Sequence, residues 1–409
     1  MTETLASDRA PDRVSAPAPV RLPAVRRGVG RVLVTGAAVT SAFGRGVEPL
    51  MAAVLVGRTG FQPVRRFDIS GRRVGVAATL PDAPALADEL ALAIDEACDA
   101  AGLGTAQRAE TPLFLAVHGD PELARSADTD TPHHGADAFA ATVARRSGLS
   151  EAVRTYISAC VAATTAVADA AAMIARGRAS RIVIAAGYLV DADQFALFDA
   201  GRALAVDGQV RPFSAGRSGL LLGDGVAAIV LEAESAGHGH SASRSRGHAP
   251  VLGRLLGWGR AGDAYHVCRP RPDGVGLARA ITAALQRADL RPEGLGYVNA
   301  HGSGTPQSDE AEAAALHLAL GEYGATVPVS STKSVHGQAL EAGGLLELIV
   351  TLFALRADSL PVNAGYLGPD EACRLNLVLE PGAAIRAQYA LSLNSAFGGA
   401  NTALLVGAP

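Results

Sequence analysis

Twice in this chain a short β-rich run ends in small polar residues that open a long Ala/Gly-rich helical segment, once at 156-YISACVAATTAVADAA and once at 329-VSSTKSVHGQALEAGGLLEL. Around these two stretches, strand patterns at Arg31 to Thr35, Leu113 to Val117, Arg181 to Ala186, Gly296 to Ala300 and Val327 to Ser331 alternate with helical ones. The helical patterns run over Ala85 to Ala101, Val161 to Ala175, Ile281 to Ala288 and Leu345 to Leu355. Such alternation specifies an α/β protein. The repeated strand-to-helix feature predicts a duplicated fold with both helix starts facing one cleft. A loop crowded with Gly, Ser, His and Arg, from about Ala233 to Pro250, separates the halves. The expected organisation is a disordered leader over 1–30, an N-terminal half over 31–240 and a C-terminal half over 241–409.

A chain of 409 residues at 49% hydrophobic composition fills two such cores. The formal charge of −4 is small, and no basic stripe with interleaved aromatics is present, which argues against nucleic acid as a partner. The stretch before Arg31 is rich in Ala, Pro and Arg and has no apolar core of signal-peptide length, hence its reading as a leader. No window reaches the roughly 18 uninterrupted apolar residues of a membrane span, so no membrane association is expected. Cys98, Cys160, Cys268 and Cys373 form no CxxC pair, which fits neither a disulfide framework nor a zinc site. A cytoplasmic protein without a bound metal or cofactor is the expectation. His133, His134, His238, His240 and His248 sit in polar loops without ligand spacing and read as solvated.

Three segments carry candidate chemistry. Cys160 stands where the strand Thr155 to Ser158 meets a helix beginning near Val161. A thiol there sees the positive end of the helix dipole and unpaired N–H groups, which favour thiolate; a buried inert cysteine is the alternative. His301 follows a strand and opens 301-HGSGTPQSDEAE, a Gly-rich turn suited to close approach by a ligand. Gly398 and Gly399 in 394-NSAFGGAN-401 form a tight turn whose N–H groups suit a developing oxyanion. Lys333 is the single lysine in the chain.

Taken in order, these motifs resemble the β-ketoacyl-ACP synthases, the condensing enzymes of the thiolase fold. The resemblance runs from 32-VLVTGAAVTSAFGRGVEPLMAAVLVGRTGF through ISACVAATTAV, 211-RPFSAGRSGLLLGDGVAAIVLE, 262-GDAYH, YVNAHGSGTPQSDEAE and STKSVHGQ to NSAFGGAN, and is greatest to the elongating type, including polyketide ketosynthases. It implies two halves in five layers, αβαβα, and a dimer with itself or a related chain. It makes Cys160 the nucleophile that takes an acyl group from the phosphopantetheine arm of an acyl carrier protein, and His301 the first active-site histidine. Lys333 and Glu347 match the supporting lysine and glutamate. Phe397 matches the phenylalanine beside the acyl pocket, its N–H forming the oxyanion hole with that of Cys160. Ser303 and Thr305 match the hydroxyl residues contacting the arm, and Asp309 and Glu312 support the turn around His301.

One position departs from the family. Where elongating synthases have a second histidine after the glycine of S-T-K-x-x-x-G-H, this chain has Gln338, in a register fixed by Lys333 before it and Glu347 after it. His336 lies two residues earlier and is not that histidine displaced. An amide N–H donates a hydrogen bond as an imidazole does, but from a different reach. Three functions stay open: carbon-carbon condensation with malonyl-ACP using His301 and Gln338 as donors, acyl transfer without decarboxylation to an alcohol, amine or thiol, and a non-catalytic partner similar to a chain length factor. The segment Glu341 to Gly344 reads EAGG where elongating enzymes tend to read GAAG. A reductase reading rests on VLVTGAAVTSAFG, which lacks the GxGxxG spacing and the acidic residue a dinucleotide site needs.

Overall fold

The computed structural model describes residues 32–119, 135–234, 250–385 and 388–409. The leader, most of the loop dividing the halves with its 240/241 boundary, and the histidines at 133, 134, 238, 240 and 248 lie outside the described residues.

Eleven strands form one mixed sheet: β1 (Val32–Ser41), β2 (Leu113–Ala116), β3 (Val153–Tyr156), β4 (Arg181–Tyr188), β5 (Gly225–Ala233), β6 (Gly253–Gly262), β7 (Leu295–Asn299), β8 (Pro328–Ser330), β9 (Asn376–Leu377), β10 (Tyr389–Ala396) and β11 (Ala400–Gly407). A two-residue strand, Gly44–Arg45, hangs on β1. The order across the sheet is β9-β8-β7-β10-β11-β6-β1-β5-β4-β2-β3. Apart from the two-residue edge strand β9, which pairs parallel to β8, the halves match when counted inward. In the first, β3, β2 and β4 are parallel and β5 and β1 continue antiparallel; in the second, β8, β7 and β10 are parallel and β11 and β6 continue antiparallel. The join is a short antiparallel contact of Val32–Val34 with Gly253–Leu255. Because β1 runs antiparallel to both neighbours, it cannot be the first strand of a parallel dinucleotide-binding unit.

The strand period of two sorts side chains into layers. Leu113, Leu115, Val183 and Ala185 point outward onto the helices Leu86–Ala100 and Ala136–Arg146. Phe114, Ile182 and Ile184 point inward onto two central helices, Ala162–Ala175 and Leu340–Ala357. In the second half Leu391, Leu393 and Leu405 face the helices Val275–Ala288 and Pro306–Leu320, while Ala390, Leu404 and Val406 face the central pair. The result is the αβαβα stack of the thiolase fold. The central helices are buried almost all round, which explains their Ala- and Leu-rich sequences. They pack against each other, and a Cβ on Gly344 would lie 2.6 Å from Thr164 Cγ2, so this glycine sets how closely they approach. Among the described residues no helix is long and apolar enough to cross a membrane.

Candidate active site

The two central helices begin side by side, which brings together the strand-to-helix stretches that start at Tyr156 and Val329. After β3 the chain passes through a one-turn 3-10 segment, Ala159–Val161, before the helix starts at Ala162. Ala159 has φ 49°, a left-handed conformation costing about 1–3 kcal/mol in a residue with a Cβ; the turn it makes holds Cys160 at the head of the helix. Opposite, Gln338 is fixed through its backbone, its N–H donating to the Leu221 carbonyl at 2.8 Å and its carbonyl accepting from Gly223 N at 3.0 Å. Its side chain is buried, and Nε2 donates to Cys160 Sγ at 2.9 Å. The expected pairing across one cleft is therefore present, as a direct hydrogen bond.

The expected thiolate is not. Enclosure of the sulfur pushes the Cys160 thiol up to about 12, and the nearby Glu341 carboxylate adds to this; the charge of Lys333 and the Gln338 hydrogen bond pull the other way but do not offset it. The correction is physical: a helix dipole contributes about 1 kcal/mol or less near a surface, whereas this sulfur packs against the central hydrophobic core. At neutral pH the resting residue is a thiol that needs a base. Site-resolved alkylation of Cys160 by iodoacetamide is expected to keep rising with pH up to about 10, where an ordinary cysteine has levelled off; a plateau near pH 7 would contradict this environment.

His301 supplies a neutral imidazole. It is buried, and burial together with the Lys333 charge holds it well below the usual histidine range; its Nδ1 has no partner among the described residues. The loop carrying it is tied down by two acids on the following helix. Glu312 accepts from His301 N and Gly302 N at 2.7 Å each, and Asp309 accepts from Phe213 N at 2.8 Å and Gly304 N at 3.1 Å. Burial pushes both up, Asp309 to about 7 and Glu312 to about 8. The two acids thus hold the turn, as expected. Ser331 Oγ donates to the Gly302 carbonyl at 2.8 Å, and Gly302, with φ 35°, leaves no room for a Cβ, which would lie 2.4 Å from Ser331 Cβ. Ser303 and Thr305 hydroxyls lie 2.8 Å apart, Ser303 buried and Thr305 partly exposed.

Lys333 ion-pairs with Glu347 in a fully buried site, and Asn394 Nδ2 donates to the other Glu347 oxygen at 2.6 Å. The lysine acts electrostatically on both Cys160 and His301, lowering the proton affinity of each. Asn394 heads a motif quoted for its glycines, and its own part in the site went unassigned there. Ser331 and Asn363, whose Oδ1 accepts from Ser331 N at 3.0 Å, were likewise missed; only the clustering of polar residues at strand ends signalled them.

The C-terminal turn differs from expectation. Gly398 N–H donates to the Val267 carbonyl of the loop after β6 at 2.8 Å and Gly399 N–H to that of Ala396 within the turn at 3.1 Å, so both glycine donors already have partners. Phe397 is 58% exposed and stacks on Phe198 at 6.1 Å between ring centroids. The Phe397 N–H, which the resemblance pairs with that of Cys160, has no such partner among the described residues. His336 is buried, its Nε2 3.0 Å from Thr332 Oγ1 in its own turn, and burial lowers it to about 3; it takes no part in the pairing at Cys160.

Comparison with known proteins matches this geometry. The chain matches the beta-ketoacyl synthase N-terminal domain over residues 89–236 and the beta-ketoacyl synthase C-terminal domain over residues 252–366. It is 33% identical to a putative polyketide beta-ketoacyl synthase 1 of Streptomyces cyaneus, covering 93% of this chain and 98% of that one. It is 30% identical to 3-oxoacyl-[acyl-carrier-protein] synthase 2 of Coxiella burnetii, covering 92% of this chain and 98% of that one. Among solved structures, the ishigamide ketosynthase/chain length factor superposes with a TM-score of 0.83 at 27% identity, covering 93% of this chain and all of that one. With full-length similarity, the duplicated five-layered fold and a cysteine at the head of the first central helix, the chain belongs to the β-ketoacyl synthase family of condensing enzymes.

Proposed function

We propose that the chain takes an acyl group from a carrier-protein thioester onto Cys160 and joins it to a malonyl unit in polyketide or fatty-acid-like biosynthesis, with Gln338 in the place of a second histidine. The observation that carries this reading is the hydrogen bond from Gln338 Nε2 to Cys160 Sγ at 2.9 Å, which sets an amide donor at the reacting sulfur. His301, neutral and buried, accepts the thiol proton as Sγ attacks the thioester carbonyl. The carrier sulfur leaves as a thiol by taking that proton back from His301, and the acyl group stays on Cys160. In the second half-reaction the malonyl thioester loses carbon dioxide, and N–H groups of His301 and Gln338 stabilise the enolate oxygen. The enolate carbon attacks the acyl-Cys160 carbonyl, the carbon–sulfur bond breaks with Cys160 leaving as a thiolate that takes a proton from water, and a 3-oxoacyl thioester leaves on the carrier.

The phosphopantetheine arm arrives along the His301 turn, where the partly exposed Thr305 hydroxyl and Ser303 lie together. The partners are an acyl carrier protein and a second subunit, either a copy or a related chain, in keeping with the names of the relatives. Intact-protein mass spectrometry after incubation with a panel of acyl carrier proteins, followed by malonyl carrier protein and capture of carbon dioxide, tests the reading. An adduct on Cys160, absent from Cys160→Ala, followed by extension is the expected result. An adduct without carbon dioxide would replace condensation by simple acyl transfer, and no adduct with or without a candidate partner chain would leave only the role of a non-catalytic subunit.

A further inference from the structure

Gln338 sits in a backbone that does not hold its own shape. Gly337 before it has φ 76° and Leu340 after it φ 36°, and an L residue keeps the latter conformation only where its surroundings enforce it. The enforcing neighbour is the stretch 221–224. On one edge the Leu221 carbonyl and the Gly223 N–H hold the Gln338 backbone; on the other the Leu222 carbonyl accepts from Ala78 N at 2.9 Å and Asp224 N donates to the Ala78 carbonyl at 2.8 Å. The Gln338 side chain has no comparable support. Its Oε1 is buried without a hydrogen-bond partner among the described residues, so the aim of Nε2 follows from where the backbone is put.

Asp224 anchors that stretch. It is fully buried, its Oδ1 accepting from Val190 N at 2.7 Å and Arg66 at 3.0 Å, and its Oδ2 from Leu80 N at 2.8 Å and Arg66 at 2.7 Å. Four donors fill the two oxygens of a carboxylate. The Arg66 fork reaches further, to the Val190, Leu80 and Asp82 carbonyls at 3.2 Å each, and its side chain is 14% exposed. The segments around residues 66, 80 and 190 are thereby tied to the one that holds Gln338. Burial pushes the Asp224 carboxyl up, while Arg66 and the two backbone N–H groups oppose this.

We infer that Arg66 and Asp224 are positioning residues for condensation: through the stretch 221–224 they set the Gln338 amide against Cys160 Sγ, 2.9 Å away. The inference rests on the condensation reading and adds to it the pair on which the reach of Gln338 depends. A shift near 1 Å at a reacting group is enough to lose about 10²-fold in rate. An asparagine at position 224 would produce such a shift, because it has one acceptor oxygen and its NH₂ would face the N–H of Val190 or Leu80, donor against donor.

The test is a double-variant cycle between Asp224→Asn and Gln338→Leu, read on carbon dioxide release from malonyl carrier protein, on acylation of Cys160 and on alkylation of Cys160 by iodoacetamide across pH. Asp224→Asn alone is expected to lower carbon dioxide release about tenfold or more with a smaller loss in acylation. Alkylation at a given pH should slow about two- to tenfold, the effect of losing one hydrogen bond to the sulfur. In the Gln338→Leu background the same substitution is expected to change neither carbon dioxide release nor alkylation, because the donor it aims is gone. Equal losses in both backgrounds, or acylation falling as far as carbon dioxide release, would mean general support of the fold and overturn the inference. Arg66→Gln carried through the same cycle is expected to give the same pattern and decides the matter if Asp224→Asn does not fold; Arg66→Lys, which keeps the charge, should recover part of the loss. If the wild-type chain releases no carbon dioxide, condensation itself fails, and the alkylation cycle, which needs no thioester, still decides whether this pair aims Gln338 at the sulfur.

Discussion

Replacing Lys333 by methionine is expected to destabilise the fold by about 3–5 kcal/mol, the usual cost of stripping one partner from a buried ion pair. Lys333 is 1% exposed and Glu347 is fully buried. With the ammonium gone, Glu347 keeps one hydrogen bond, from Asn394. Burial already raises this carboxyl, so in the variant it would be held protonated or hydrated at a cost. Urea denaturation measures the loss. Adding Glu347→Gln to Lys333→Met is expected to recover most of it, because the damage comes from the unpaired charge and not from the missing attraction. A single-variant cost below about 1 kcal/mol, the range of exposed ion pairs, would refute this account. The variant also has a chemical signature: without the cation the Cys160 thiolate loses a stabilising charge, so alkylation at a given pH slows, and His301 becomes easier to protonate. Lys333→Arg does not rescue, since a planar guanidinium with five donors cannot be satisfied in a site this enclosed. That constraint explains why a chain otherwise written in arginine keeps one lysine.

How much of this was legible beforehand depends on the range of each interaction. The alternation of strand and helix patterns, the doubling of the fold and the meeting of Cys160 with Gln338 follow from local periodicity and the repeated strand-to-helix feature, and all three appear in the structure. The roles of Asp309 and Glu312 were also accessible, because they sit within one helical turn or two of the loop they brace. What could not be read was set by distant neighbours. The Cys160 thiol is governed by enclosure from both halves and by Glu341, not by the helix it heads. The pair of partly exposed Arg66 with buried Asp224, whose carboxylate also accepts from Leu80 N at 2.8 Å and Val190 N at 2.7 Å, joins segments that no spacing rule connects. The pairing of Glu341 with His118 Nδ1 at 3.5 Å was invisible for the same reason: the sequence marked Glu341 only as a departure at EAGG. At Phe397, a position within a motif specified the residue but not its exposure, which the stacking on Phe198 decides.

Removing the amide of Gln338 is expected to lower malonyl decarboxylation by about 10²-fold or more, the loss typical of deleting one oxyanion donor. Gln338→Leu keeps most of the volume at a position only 2% exposed, so a fold defect is not the first consequence, and acylation of Cys160 should fall much less because its attack does not depend on two donors. The geometry shows how a glutamine can serve as donor at the position where the resemblance implies a histidine. Its Nε2 carries two hydrogens; one faces Cys160 Sγ at 2.9 Å, and the other remains for a thioester oxygen. Once the sulfur is acylated it is a poorer acceptor, which frees the amide for the enolate at the step where it is needed. Gln338→Asn retracts the donor by one methylene and is expected to lose about 10²-fold as well, since a displacement near 1 Å is enough. Gln338→His restores a ring N–H and is expected to hold or raise the rate. Carbon dioxide release from labelled malonyl carrier protein separates the cases: a leucine variant as fast as the wild-type chain would mean that the amide serves only the resting thiol, and condensation would then rest on His301 alone.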